Sequence, residues 1–259
     1  MLLKSSLGLG EGGMICFIGA GGKTTLMFTL AAELATAGQL VLTTTTTKIR
    51  TPTEKQSPHV ILATGVPEIE KRVREAVNQW THISAASKEM PTQQGKLIGY
   101  PPEIVDELHR KKLAKWLLVE ADGAAGKPLK APAEHEPVIP KNAHTVVAVI
   151  GLDSVGQRLD EKSVFRPELF SRISGTGMGA SITAHAIANA LEDKQGLLKN
   201  CPPRAIRMLF LNKADTPKRL EAGQKIVRLI KETRTLNLTR ILIGNARSAT
   251  PVIEYHDVS

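Results

Sequence analysis

Aromatic residues are scarce in this chain: five Phe, two Trp and two Tyr, 3% of 259 residues. Proteins that hold single-stranded nucleic acid stack bases on aromatic faces, so nucleic acid is an unfavoured partner. Cysteine is scarcer still. Cys16 and Cys201 form no C-x-x-C pair and no dense framework, which excludes a disulfide scaffold and predicts a reducing, cytoplasmic setting. The histidines lack metal-ligand spacing; Glu134-His135-Glu136 lies between prolines without a second ligand and reads as a solvated loop. No run approaches the roughly 18 to 20 apolar residues that cross a bilayer. The opening Met1-Leu2-Leu3-Lys4-Ser5-Ser6-Leu7-Gly8 is too short and glycine-rich for a signal peptide. A soluble protein without a membrane partner is expected. Acid is also short relative to base. With 34 Lys and Arg against 25 Asp and Glu the net charge is +9, which suits acidic partners such as nucleotides, or simply a solvated basic surface.

What is present is concentrated near the N-terminus. Met14-Ile15-Cys16-Phe17-Ile18 is continuously apolar and β-prone, as a strand buried on both faces should be. It runs into Gly19-Ala20-Gly21-Gly22-Lys23-Thr24-Thr25. An amphipathic stretch with Leu26, Leu30 and Leu34 follows and closes at Gly38. Strand, glycine turn, Lys-Thr and helix together are the context of a phosphate-binding P-loop. Glycines let backbone N–H groups converge on phosphate, and the helix start adds positive potential. Lys23 supplies a point charge, and the Thr24 hydroxyl is placed for Mg²⁺. The usual pattern needs Gly where Phe17 stands. The shortened loop resembles that of Mur-type ligases and folylpolyglutamate synthases, which points toward ATP.

Downstream, apolar strand-like runs alternate with helical patterns, so the sheet should be mainly parallel with ligands at the carboxyl ends of its strands. The expected fold is an α/β, P-loop NTPase-like sheet flanked by helices. One domain, 1–259, is expected, with a small α+β insertion or extension at 63–115. Arg240 to Ile243 reads as the last core strand, and Ala180 to Leu191 as a helix.

Trp116-Leu117-Leu118-Val119 ends in Glu120 and Asp122, two carboxylates on one face of an extended chain. With Lys23 they form the expected catalytic set. Asp122 joins Thr24 on the metal side and Glu120 orients water, an assignment that could be reversed. The run Thr43 to Thr47 is either an edge strand or a source of nucleotide ligands, with Thr46, Thr47 and Lys48 the candidates. After the strand Ile206 to Leu211 comes Asn212-Lys213-Ala214-Asp215, where P-loop GTPases place their guanine-reading Asn-Lys-x-Asp. An alternative is a helix cap by Asp215. The strand order favours guanine slightly over adenine, and specificity of this kind can be large because the wrong base leaves buried polar groups unpaired. Lys127 and Lys130 follow the acidic motif and either meet an anion or are solvated.

These motifs resemble the YqeC-type family, accessory proteins ascribed to selenium-dependent molybdenum hydroxylases. The resemblance rests on Gly19 to Thr25, on Val119-Glu120-Ala121-Asp122-Gly123 continuing to Lys127-Pro128-Leu129-Lys130-Ala131-Pro132, and on Leu211 to Asp215. Gly151-Leu152-Asp153 and Arg166-Pro167-Glu168 add to it. It implies a role in maturing such a hydroxylase or its cofactor, with that enzyme or its maturation proteins as partners. The residues lead to an Mg²⁺-dependent nucleoside-triphosphate-binding protein, an NTPase using GTP or ATP. An ATP-dependent ligase or kinase on a small anionic substrate stays open, as does a non-hydrolysing, nucleotide-gated binding protein.

Overall fold

The structure is a computed structural model and describes residues 1–258. Its N-terminal half contains α1 (Leu3–Ser6), β1 (Gly13–Gly19), α2 (Lys23–Thr36), β2 (Val41–Thr45) and β3 (Lys48–Arg50). Next come β4 (Val60–Leu62), α3 (Val66–Ala76), β5 (His82–Ala86), β6 (Lys88–Glu89), β7 (Lys96–Ile98) and α4 (Pro102–Arg110). The middle of the chain forms β8 (Trp116–Glu120), β9 (Leu129–Lys130), β10 (Thr145–Gly151), β11 (Val164–Phe165), α5 (Pro167–Ser174) and α6 (Ala184–Glu192). Then β12 (Ile206–Asn212), α7 (Pro217–Thr233), β13 (Arg240–Gly244) and β14 (Val252–Asp257) complete it.

Nine strands make the main sheet, in the order β14-β13-β12-β10-β1-β8-β2-β5-β4. All neighbours pair in parallel except β13 and β14. Strand alternation divides the core in two. Met14, Cys16 and Ile18 of β1 join one apolar cluster with residues of α3 to α7. Ile15 and Phe17 join the other, with Leu3 and Leu7 of the N-terminal segment and Leu26, Met27 and Leu30 of α2. The side each helix takes follows from handedness. The step from β1 to β2 runs one way along the sheet, while β4 to β5, β10 to β12 and β12 to β13 run the other. Right-handed crossovers then place α2 and α3 to α7 on opposite faces. The reversal occurs at β1, and its carboxyl end opens into the crevice where ligands bind in such sheets.

The segment 63–115 supplies α3, α4 and the internal strand β5 to these main layers. Projecting from it is a three-stranded antiparallel sheet, β3-β7-β6. The sequence reading missed β14. Its sequence, Val252-Ile253-Glu254-Tyr255-His256-Asp257, carries too much charge for a core strand, yet it is an edge strand, antiparallel to β13, with Met1 bonded to Val252 at its start. The helix expected from Ala180 starts at Ala184 because the Thr183 hydroxyl caps it, accepting from Ala186 N–H at 3.1 Å.

Thr43 to Thr45 of the threonine run lie inside the sheet, in β2 between β8 and β5, and Thr46 and Thr47 follow the strand end. The hydroxyls of the first three answer polar groups of the neighbouring strands. Thr43 meets Ser84 at 2.6 Å, Thr44 donates to Ala85 O at 2.8 Å, and Thr45 donates to Glu120 O at 2.7 Å. Thr45→Val keeps the shape and leaves that carbonyl one donor short. It should lower stability by roughly 1 to 2 kcal/mol, read as a shifted urea midpoint; an unchanged midpoint would show that the bond contributes nothing.

Candidate functional site

The turn between β1 and α2 admits little besides glycine. Gly19, Gly21 and Gly22 have φ of 89°, 78° and 125°, values that L side chains avoid. A Cβ on Gly19 would strike Val149 O, and one on Gly21 would strike the Gly151 backbone. The loop is anchored from outside: Ala20 N–H donates to Val149 O at 2.8 Å and Gly21 N–H to Lys127 O at 3.0 Å. The first α-helical bond at its end is Leu26 N–H to Gly22 O. The N–H groups of Lys23, Thr24 and Thr25 therefore precede the ladder and, among the described residues, have no acceptor, which leaves them able to meet an anion.

Four side chains converge behind this turn. Lys23, 4% exposed, donates to Gly19 O at 2.7 Å and lies 3.1 Å from Asp122 Oδ1 and 3.9 Å from Glu120 Oε1. Burial alone would push its ammonium down; Asp122 and Glu120 outweigh burial and hold it above the ordinary lysine value. The Thr24 hydroxyl donates to Glu120 Oε2 at 2.5 Å. Burial raises the Glu120 carboxyl, against the opposing pull of Lys23 and Thr24. Thr24 and Glu120 are thus neighbours, whereas Asp122, expected beside Thr24 on the metal side, is occupied elsewhere. Asp122 Oδ2 accepts from Gly19 N–H at 3.0 Å and from Lys130 Nζ at 3.1 Å. Asp122 is held instead by the turn's own backbone and by Lys130, while Glu120 takes Thr24.

Lys130 is fully buried. It also donates to Gly123 O and to Glu136 Oε2, both at 2.7 Å. Neither a solvated lysine nor a phosphate ligand, it is the internal partner of Asp122. Glu136 is not solvated either, contrary to the reading of 134–136. It takes a two-pronged bond from Arg166, at 2.6 and 3.1 Å, and Arg166 covers the Phe165 ring at 4.3 Å. The signal available in the sequence was Lys130-Ala131-Pro132 beside Arg166-Pro167, but nothing local says that β9 and β11 pair.

The remaining candidates separate. Thr46 donates to Val138 O at 2.7 Å, and Thr47 lies 3.3 Å from Thr45 Oγ1. Lys48 is exposed on β3, and Thr25 is half-buried on α2. Asn212 is buried against the loop: its amide donates to Gly21 O at 2.8 Å and accepts from Lys213 and Ala246 N–H, each at 2.9 Å. Lys213 pairs with Asp153 at 2.6 Å. Asp215 is exposed and engaged by Arg219, which holds its carboxyl below the ordinary range. The cap of α7 is Thr216, not Asp215.

Against the upward push of burial, Arg166, Lys130 and the Ala133 N–H hold the Glu136 carboxyl down at about 2, from an ordinary 4.5. A depressed folded value stabilises the protein above pH 4.5 and loses that contribution as pH falls toward 2. The difference corresponds to about 3 kcal/mol. Glu136→Gln should be less stable at pH 7 and show a flatter stability curve between pH 5 and 2. Parallel acid titrations of unfolding would refute this by coinciding in slope.

With this geometry in place, comparison with known proteins becomes informative. A family model described as YqeC protein matches residues 15–168. The YqeC protein of Escherichia coli (strain K12) is 35% identical over 210 residues, covering 77% of this chain and 75% of the relative. Among solved structures, chloroplast FtsY from Physcomitrella patens aligns over 92% of this chain and 61% of its own, with 14% identity and TM-score 0.45. FtsY from Mycoplasma mycoides aligns over 92% and 64%, with 14% identity and TM-score 0.42. The chain thus spans less than two thirds of either FtsY structure. The MinC:MinD cell division complex of Aquifex aeolicus aligns over 89% and 81%, with 13% identity and TM-score 0.42. The P-loop turn, the acidic strand end and the buried Lys130 bond all lie within the matched span, and the chain belongs to the YqeC family.

Proposed function

We propose that this protein binds and hydrolyses a magnesium nucleoside triphosphate at the turn between β1 and α2. One observation carries the reading: the glycine turn, the free N–H groups of the α2 start, buried Lys23 and the Thr24–Glu120 pair converge at the carboxyl end of the central strand. The donors suit Mg²⁺, since a hydroxyl and a carboxylate are hard oxygen ligands. Thr24 with Glu120 would hold it, replacing the Thr24–Asp122 pair suggested by sequence. Once bound, the ion would neutralise charge on the phosphates. Lys23 serves the same charge from the other side, leaving Gly19 O and Asp122 for phosphate oxygens. Asp122 then keeps Lys130 as its counter-ion. Little covalent chemistry is asked of the protein, because phosphoryl transfer depends mainly on positioning and charge.

Guanine is the base we favour. Asn212 ties the loop after β12 to Gly21, so residues 213–215 stand at a fixed offset from the phosphates. Asp215 must leave Arg219 to read a base, an exposed ion pair of small value. Family membership supports the further proposal that the activity serves maturation of a selenium-dependent molybdenum hydroxylase or its cofactor.

Isothermal titration tests the site. Lys23→Ala should cost roughly 2 kcal/mol or more in triphosphate affinity. Thr24→Ala and Glu120→Gln should lose most of the magnesium dependence, with phosphate release falling in parallel. Equal affinity of wild type and Lys23→Ala refutes the reading; binding without phosphate release in the wild type removes hydrolysis from it.

Base choice is tested by competition. Asp215→Asn puts a donor against the guanine amine, so GTP should weaken and xanthosine triphosphate improve, by roughly 1 to 3 kcal/mol per mismatched contact. A wild-type preference for ATP, or no swing in the variant, assigns the site to adenine.

A further inference from the structure

The small sheet β3-β7-β6 has two faces, and the pairing register says what each carries. Ile49 and Leu97, directly opposite one another, are buried and turn inward. The other face holds Lys48 opposite Ile98, with Ile98 opposite Lys88 on the far strand, and Arg50 opposite Lys96. Four of these five outward positions are cationic, the fifth is a half-buried isoleucine, and none is acidic. None of the four cations enters an ion pair among the described residues.

Many surface lysines are solvated, so lack of pairing alone means little. The juxtaposition is the informative part. Like charges directly opposite on adjacent strands destabilise a sheet, and here Arg50 faces Lys96 at that closest spacing. Lys48 and Lys88 stand two strand spacings apart, about 10 Å, and Lys48 and Arg50 about 7 Å along one strand. Solvent and salt screen part of this repulsion, and an anionic partner laid across the face would relieve it further.

We infer that this face docks an acidic protein segment. A flat sheet surface does not enclose a small ligand, which needs a concave site. Single-stranded nucleic acid would want aromatic platforms, and none of the five outward positions is aromatic. Duplex binding is usually built from more phosphate contacts than four cations supply. An apolar centre, Ile98, ringed by charge matches the core-and-rim arrangement of protein interfaces. The face also adjoins the P-loop crevice through backbone: Thr46 N–H donates to Glu120 O at 3.1 Å, and Gly99 N–H to Thr47 O at 2.7 Å. A segment held there would lie beside the nucleotide.

The test uses the full chain and a fluorescent Asp- and Glu-rich peptide as probe. Single-stranded and duplex DNA serve as competing probes, at low and physiological salt. The peptide should bind wild type with salt-sensitive affinity, and the Arg50→Glu/Lys96→Glu variant should bind at least about tenfold more weakly. Lys71→Glu/Lys218→Glu changes net charge equally at exposed positions on α3 and α7 and should leave peptide affinity near wild type. Lys88→Gln/Lys96→Gln repeats the test without charge reversal, and circular dichroism checks that each variant is folded. Triphosphate affinity should stay unchanged in all of them, which separates this face from the P-loop. Equal peptide binding by wild type and both patch variants overturns the proposal, as does equal loss in the Lys71→Glu/Lys218→Glu control. DNA binding tighter than the peptide, and lost in the patch variants, overturns it in favour of nucleic acid.

Discussion

A carboxylate buried between two lysines organises this molecule. Asp122 receives Gly19 N–H and Lys130 Nζ on one oxygen and faces Lys23 with the other. Ions so deeply placed cost several kcal/mol each to desolvate, and the arrangement holds only because each charge finds opposite charge and further hydrogen bonds. The chain pays that cost where it fixes the P-loop, because Gly19 and Lys23 are the two ends of the turn. From Lys130 the connection extends to Glu136 and Arg166, so the loop after β8 is secured to the strand β11 and the start of α5.

Much of the frame was legible from residues 13 to 36. Continuous apolarity in Met14 to Ile18, bounded by glycines, suits a strand covered on both faces, and the structure covers it on both. Leucines at four-residue spacing gave α2 in the same way. The P-loop could be read because its chemistry is local: turn, lysine and hydroxyl are consecutive in sequence. The same locality explains Asn212, found by its motif although its observed contacts are with the loop.

What escaped the sequence reading is what depends on distant pairing. Glu136 looks solvated among prolines until β9 meets β11 and Arg166 arrives, thirty residues on. Lys130 gives no sign that it is buried, since a lysine beside glycines and prolines reads as surface. The sequence could not divide the threonine run: Thr43 to Thr45 lie in β2, an inner strand whose hydroxyls serve neighbouring strands, while Thr46 and Thr47 follow its carboxyl end. Periodicity reports which face of an element is apolar; it does not report which element lies opposite. Charges at interior crossings are therefore invisible until topology is known.

The position of β1 in the sheet has a consequence for synthesis on the ribosome. The strand is made well before its neighbours β8 and β10, which end at residues 120 and 151, and Asn212 closes the turn from further still. A nascent chain carrying the complete glycine turn has no walls for it, and the apolar stretch from Met14 to Ile18 must wait until Trp116–Glu120 and Thr145–Gly151 are made. Long-range parallel pairing of this kind folds slowly and leaves sticky strands exposed meanwhile. Vectorial synthesis thus leaves the glycine turn without its walls until Asn212 has been made, so that a product truncated before β12 lacks the completed turn.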